Sequence, residues 1–149
     1  MIALLQRVTN AKVVVEGRTR GKIQSGILAL IGVEKTDTEE QAGRLLERIL
    51  GYRIFADTED KMNLSLKDTS GGLLLVPQFT LVANTDKGMR PSFSSAASPA
   101  EGKRLFAYLL QQARHLYSQV EAGQFGADMQ VSLTNDGPVT FWLQVTANK

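Results

Sequence analysis

Two short segments of this chain place a proline beside amide and hydroxyl side chains where regular secondary structure favours none of them. They are Val76-Pro77-Gln78-Phe79-Thr80 and Asn135-Asp136-Gly137-Pro138-Val139-Thr140. The first extends Leu73-Leu74-Leu75-Val76, an apolar run that reads as a buried strand. Proline supplies no N–H to a ladder, so pairing must lapse at Pro77 or the position must face an edge. A strand that breaks beside an amide, an aromatic ring and a hydroxyl leaves backbone N–H groups free, and such groups build oxyanion holes. An edge strand with a bulge accounts for the same residues without chemistry. The second segment is turn chemistry, Asn-Asp-Gly, with a proline directly after the glycine that fixes φ and removes a donor. A trans turn is the ordinary expectation there.

Few other residues offer reactivity. The chain has no cysteine and a single histidine, so disulfides, thiolate metal sites and a cysteine nucleophile are excluded. His115 falls in a helical pattern with Leu105, Leu109, Gln112 and Leu116 and reads as a surface or helix-end residue. That argues against Ser-His-Asp catalysis and histidine metal sites. No GxxxxGK[ST], GxGxxG, GxSxG or HExxH motif is present. No cofactor or metal is called for, and any chemistry must come from backbone groups, hydroxyls, carboxylates, Arg or Lys, or the substrate. Arg90 could bind a phosphate or carboxylate, and an exposed solubilising arginine is an equal alternative. Arg7 leaves the same choice open; pointing inward among apolar neighbours, it would need acceptors such as backbone carbonyls.

The elements that must position these segments follow from periodicity. Ile2 to Val8, Lys12 to Glu16, and Gly26 to Val33 read as strands, with Gly17 to Gly21 a turn; the third is so uniformly apolar that burial on both faces is expected. Thr38-Glu39-Glu40-Gln41 has the form of a capping box. Ala42, Leu45, Leu46, Ile49 and Leu50 then follow amphipathic helical spacing, with Gly51 as the stop. Tyr52 to Phe55 is a short strand or a helix exit, and Asp57 to Lys61 and Ser70-Gly71-Gly72 are turns. Asn84 to Ala97 is a long polar connection of the kind that often carries function. Ser98-Pro99-Ala100-Glu101 starts a second helix running to about Tyr117, and Gly123 to Gly126 is a turn. Met129 to Leu133 and Val139 to Val145 read as hairpin arms around Asn135-Asp136-Gly137-Pro138. The prediction is one α/β domain over residues 1–149, with a mixed sheet or partial barrel, two main helices and a flexible tail at 146–149.

Its 149 residues suffice for one core, with 43% hydrophobic and 21% charged residues. The formal net charge of +2 suits contact with a polyanion without demanding it. The N-terminus does not read as a signal peptide, and no run approaches a membrane span; a cytoplasmic location is the expectation.

Across residues 1–145 the chain resembles the D-aminoacyl-tRNA deacylases. The resemblance rests on Met1-Ile2-Ala3-Leu4-Leu5-Gln6-Arg7-Val8, Gly51-Tyr52-Arg53-Ile54-Phe55, Lys61-Met62-Asn63-Leu64, Gln78-Phe79-Thr80-Leu81, Gly88-Met89-Arg90-Pro91-Ser92-Phe93 and Asn135-Asp136-Gly137-Pro138-Val139-Thr140, in that order. It implies a homodimer with active sites at the subunit interface, acting on the ester at the 3′-terminal adenosine of D-aminoacyl-tRNA and on mischarged glycyl-tRNA, with no DNA or membrane partner. Gly137-Pro138 would be a cis element inserted into the partner's pocket to exclude L side chains, and Arg7 would orient it. Gln78, Phe79 and Thr80 would carry the ester chemistry through backbone N–H groups, Phe79 shaping the adenosine end. Thr80 has been read in such enzymes as a nucleophile; with no evident base, a positioning role is preferred, and the tRNA 2′-hydroxyl would assist water. Met129 would form a pocket wall, although a core methionine is the default reading of such a residue. One departure stands out: the family's usual serine before Gln-Phe-Thr is Pro77 here.

Overall fold

Strand β1, Ile2–Val15, runs unbroken where the sequence suggests two strands. In the computed structural model, which describes residues 1–147, three other strands hang on it. β3 (Gly26–Gly32) pairs antiparallel with its first half, from Ile2↔Gly32 to Val8↔Gly26. β2 (Arg18–Ile23) pairs with its second half. On the opposite edge β8 (Gln130–Gln144) runs antiparallel along nearly the whole strand, from Ile2↔Gln144 to Val14↔Gln130. β6 (Gly72–Pro77) then lies parallel to β3, and β7 (Val120–Ala122) parallel to β6. β4 (Phe55–Ala56) and β5 (Met62–Leu64) form a separate ribbon. Three helices complete the chain: α1 (Glu39–Gly51), α2 (Leu66–Thr69) and α3 (Pro99–Leu116).

The sheet curls until its ends nearly meet. Lys22 N–H on β2 donates to Oε1 of Glu121 on β7 at 3.3 Å. A Cβ at Gly21 would lie 2.8 Å from Ala122 O, so only glycine fits that approach. Curling creates two cores. Ile27, Ala29, Leu73 and Leu75 pack with Leu45, Leu46, Ile49, Leu105 and Leu109 of the helices. Their alternate neighbours Leu28, Leu74 and Val76 pack inside the curl against Val8, Ala11 and Val13. Burial on both faces is what the uniformly apolar runs demand.

Both main helices start as their caps dictate. Thr38 Oγ1 accepts the Glu40 N–H and Gln41 closes the box; Ser98 accepts the Glu101 N–H, with Pro99 in the first helical position. Several expectations need correction. Thr9 and Asn10, expected to lie between two strands, are exposed and form a register irregularity within β1 while β8 stays paired beyond it. The expected turn at 17–21 is confined to Glu16-Gly17, with β2 starting at Arg18. The expected hairpin at 129–145 does not exist: both arms belong to β8 and pair with β1 instead of with each other. α2 and β7 have too few residues for a periodic signal. Of the tail at 146–149, residues 148–149 lie outside the described residues. No helix among the described residues is long and apolar enough to cross a membrane.

The chain start is anchored inside the fold. The Met1 ammonium donates to Asp37 Oδ1 at 2.7 Å, Glu34 Oε1 at 2.9 Å and Val145 O at 2.7 Å. Asp37 Oδ2 accepts the Glu34 N–H at 2.6 Å, so both carboxylate oxygens act as acceptors. Burial pushes the Asp37 carboxyl above its ordinary 3.8, against the pull of the ammonium. Such a pair is worth little as a net gain but is expensive to leave half made. Asp37→Asn would turn one acceptor into a donor facing a donor and should cost about 2 kcal/mol of stability. Denaturant unfolding measures this, and an unchanged midpoint would show that the socket is not needed.

Candidate active site

Pro77 closes β6 in a buried position opposite Ile31. Backbone groups alternate along the strand. Leu73 N–H donates to Gln119 O and Leu75 O accepts the Gly123 N–H on the β7 side, both at 2.8 Å, whereas Gln78 N–H donates to Ile31 O at 2.8 Å on the β3 side. By that alternation the Pro77 nitrogen faces the β7 side, beyond the end of β7 at Ala122. The proline therefore sacrifices no ladder bond. β6 is an inner strand with no bulge at Pro77, but on the β7 side pairing has lapsed there, which is one of the two situations a proline in a strand requires.

A 3-10 turn, Phe79–Val82, follows directly. Leu81 N–H donates to Gln78 O at 3.2 Å and Ala83 N–H to Thr80 O at 3.1 Å. The first donors of a helical turn have no partner within it. Among the described hydrogen bonds, the N–H groups of Phe79 and Thr80 have no acceptor, whereas that of Gln78 is taken by Ile31. Thr80 Oγ1 accepts a bond from Gln78 Nε2 at 3.0 Å, and among the described residues no carboxylate or imidazole bonds to it.

These residues form one wall of a cavity of about 450 Å³. Ile31 and Val33, Ala97, Phe106 of α3, Phe125 and Met129 supply other walls, and none of the lining residues carries a charge. Met129 lies just before β8 and its sulfur accepts the Gln124 N–H at 3.4 Å. Phe79 stands 62% exposed against Phe93, with ring centroids 5.2 Å apart. Phe106 and Phe125 gave no signal as site residues in the sequence, where both read as core or turn. No group of three or more His, Cys, Asp or Glu among the described residues is placed to hold a metal ion.

Arg7, Gly137 and Pro138 do not line this cavity. They meet elsewhere, where residues 136–139 leave the ladder between Val8↔Asn135 and Gln6↔Thr140 and form an outward pouch opposite Arg7. Asn135, which the sequence presents as turn chemistry, is the staple at its neck. Asn135 Nδ2 donates to Arg7 O at 3.1 Å and Val139 O at 2.9 Å, and its Oδ1 accepts the Val139 N–H at 3.0 Å. Arg7 points inward and finds the carbonyls that its surroundings require. Its Nε donates to Asp136 O at 3.0 Å and its Nη1 to Ile54 O at 2.9 Å, with Asp136 Oδ2 at 3.5 Å. Gly137 sits at φ 147°, and the Gly137-Pro138 bond is cis, not the trans turn that base rates favour. A Cβ on Gly137 would lie 2.5 Å from Val139 Cγ2 and 2.7 Å from Val139 N. The pouch is thus rigidly built, yet Asp136, Gly137 and Pro138 are exposed.

Residues 4–144 match the family model described as D-Tyr-tRNA(Tyr) deacylase. A D-aminoacyl-tRNA deacylase of Thioalkalivibrio sulfidiphilus is 64% identical over 97% of both chains. One from Yersinia enterocolitica is 59% identical over 97% of this chain and all of its own. A solved structure described as c-Myc DNA Unwinding Element Binding Protein superposes with a TM-score of 0.94 at 36% identity, covering 99% of this chain and 100% of that one. A probable eukaryotic D-amino acid tRNA deacylase has the same fold, with a TM-score of 0.84 at 18% identity over 97% of this chain and 98% of its own. The stapled pouch, the broken strand and these full-length matches agree: the chain belongs to the D-Tyr-tRNA(Tyr) deacylase family.

Proposed function

We propose that this chain hydrolyses the ester joining a D-amino acid to the 3′-terminal adenosine of tRNA, releasing the free amino acid and tRNA, and that it also removes glycine from mischarged tRNA. The observation that carries the chemistry is the pair of N–H groups at Phe79 and Thr80 that find no acceptor among the described residues, beside a cavity lined by no charged side chain. Water adds to the ester carbonyl, the two N–H groups receive the developing oxyanion, and collapse breaks the bond to the ribose oxygen, which takes up the proton that the water gives up. The substrate's 2′-hydroxyl assists the water. Thr80 positions rather than attacks: its one side-chain partner among the described residues, the Gln78 amide, donates to it and has no capacity to take its proton. Phe79 shapes the adenosine end and Met129 is a wall.

Gly137-Pro138 excludes L substrates, but from a second copy of the chain. In support, the pouch stands exposed and lines no part of its own protomer's cavity, while Arg7 and Asn135 tie it down. A homodimer would bring each pouch to the other's cavity. An L side chain would then meet fixed carbonyls, so the wrong enantiomer is refused sterically. We assign no DNA or membrane partner, and place the enzyme in the cytoplasm with its substrate.

Incubation with D-tyrosyl-tRNA and L-tyrosyl-tRNA tests this reading. Rapid loss of the D ester alone is expected, whereas tight binding without loss would make the chain a tRNA-end binding module, and indifference to the RNA would make it an unrelated esterase. Gly137→Ala should lower kcat/KM for the D ester by about 100-fold or abolish chiral selection, because the Cβ collides within the pouch. A fully active and selective variant removes the pouch from the mechanism. Pro77→Ser should change the rate by less than about tenfold, since the Pro77 nitrogen faces no partner strand. A much larger gain would mean that the family's serine contributes directly.

A further inference from the structure

Phe79 and Phe93 are large apolar residues left 62% and 41% exposed, and Met89 between them in the chain is fully exposed. Clustered exposed rings of this kind mark a contact surface. The segment that carries Phe93 is not a loose loop. Asn84 N–H donates to Ser92 O at 2.7 Å and Ser92 N–H to Asn84 O at 3.0 Å, closing its neck. Behind it, Lys35 N–H donates to Ser95 O at 3.1 Å and Ala97 N–H to Val33 O at 3.0 Å. The neck holds Phe93 against Phe79 at the cavity wall and leaves the tip, residues 85–91, in solvent. Lys87 and Arg90 lie on that tip, both exposed and in no ion pair among the described residues. Asp86 lies beside them, its N–H bonded to Asn84 Oδ1 at 2.9 Å, so the tip is net +1 from two cations and one anion.

We propose that Phe93 and the tip bearing Lys87 and Arg90 form a platform for the unpaired nucleotides that precede the terminal adenosine of the RNA substrate. Stacking a base on an exposed ring while cations hold the adjoining phosphates is how proteins grip single strands without reading their sequence. The platform adjoins the cavity through the Phe79–Phe93 contact, so a strand whose last nucleoside enters the cavity would lay its preceding nucleotide across Phe93. The inference rests on the deacylase reading above and extends it outward from the ester.

Two substrates isolate the platform: D-tyrosyl-tRNA and D-tyrosyl-adenosine, which lacks every preceding nucleotide. Phe93→Ala should raise KM for the tRNA by roughly tenfold, at least fivefold more than for the nucleoside ester, and Phe93→Tyr should restore it. The double variant Lys87→Gln, Arg90→Gln should flatten the dependence of log KM on log salt by about one unit per lost phosphate contact, with the tRNA alone. Equal losses on both substrates, or none on the tRNA, would overturn the platform. So would a shift to monomer in sedimentation velocity, which would make the surface a contact between copies. Binding is measured in parallel with an uncharged RNA hairpin bearing its single-stranded 3′ end and with one trimmed by three nucleotides. Weaker binding of the intact hairpin by Phe93→Ala supports the platform even if the wild-type protein cleaves neither ester, an outcome that would sink the deacylase reading alone. Identical binding of the two hairpins by the wild-type protein would overturn the platform whatever the turnover.

Discussion

Because the first half of β1 is paired on both edges, its register with β3 and with β8 cannot slip independently. Moving β1 by one residue against them would turn Ala3 and Leu5, both fully buried, out of the core. Arg7 shares their face by the two-residue period and so is carried to a fixed point beneath β8. The pouch at 136–139 exists because β8 holds more residues than β1 can match across that stretch. Locked ladders on either side leave the surplus no route but outward, and Arg7 and Asn135 tie its base. An exposed element thereby gains the rigidity of the sheet that expels it.

At β6 the constraint works in reverse. There the sheet stops supplying a partner, and the chain answers with a residue that asks for none. Pro77 sits at the end of the parallel ladder with its nitrogen turned away from β3, and a 3-10 turn begins at once. A tight turn entered directly from a strand leaves its first donors unbonded. Two adjacent N–H groups beside an apolar cavity are stronger electrostatic partners for an oxyanion than the same groups in water. A chain with no cysteine and one remote histidine thus still has an electrophilic feature, built from backbone alone.

The pouch residues Arg7, Gly137 and Pro138 do not line the cavity of their own protomer. For the proposed reaction this separation is informative: chemistry at the cavity can be held constant while stereochemical exclusion is delivered by a rigid body from outside. In the proposed mechanism the Phe79–Thr80 turn would receive the developing charge and the Gly137-Pro138 pouch would shape the pocket against the L side chain.

Local signals in the sequence determined much of this. The caps at Thr38 and Ser98, the helical spacing from Ala42 to Leu50 and the apolar runs at Gly26 and Leu73 all became the expected elements, because each is decided by neighbours within a few residues. Gln78-Phe79-Thr80, Gly137-Pro138 and Arg7 were also visible, as residues that no regular element would choose. Long-range pairing decided the rest. Nothing local distinguishes a hairpin from a strand with a pouch, since the difference lies in whether residues 130–134 pair with 140–144 or with β1. The exposed Thr9 and Asn10 likewise look like a loop until β8 is seen continuing beside them. That Phe106, Phe125 and Phe79 enclose one cavity follows from how α3 packs on the curled sheet, and residue types alone carry no record of that distance.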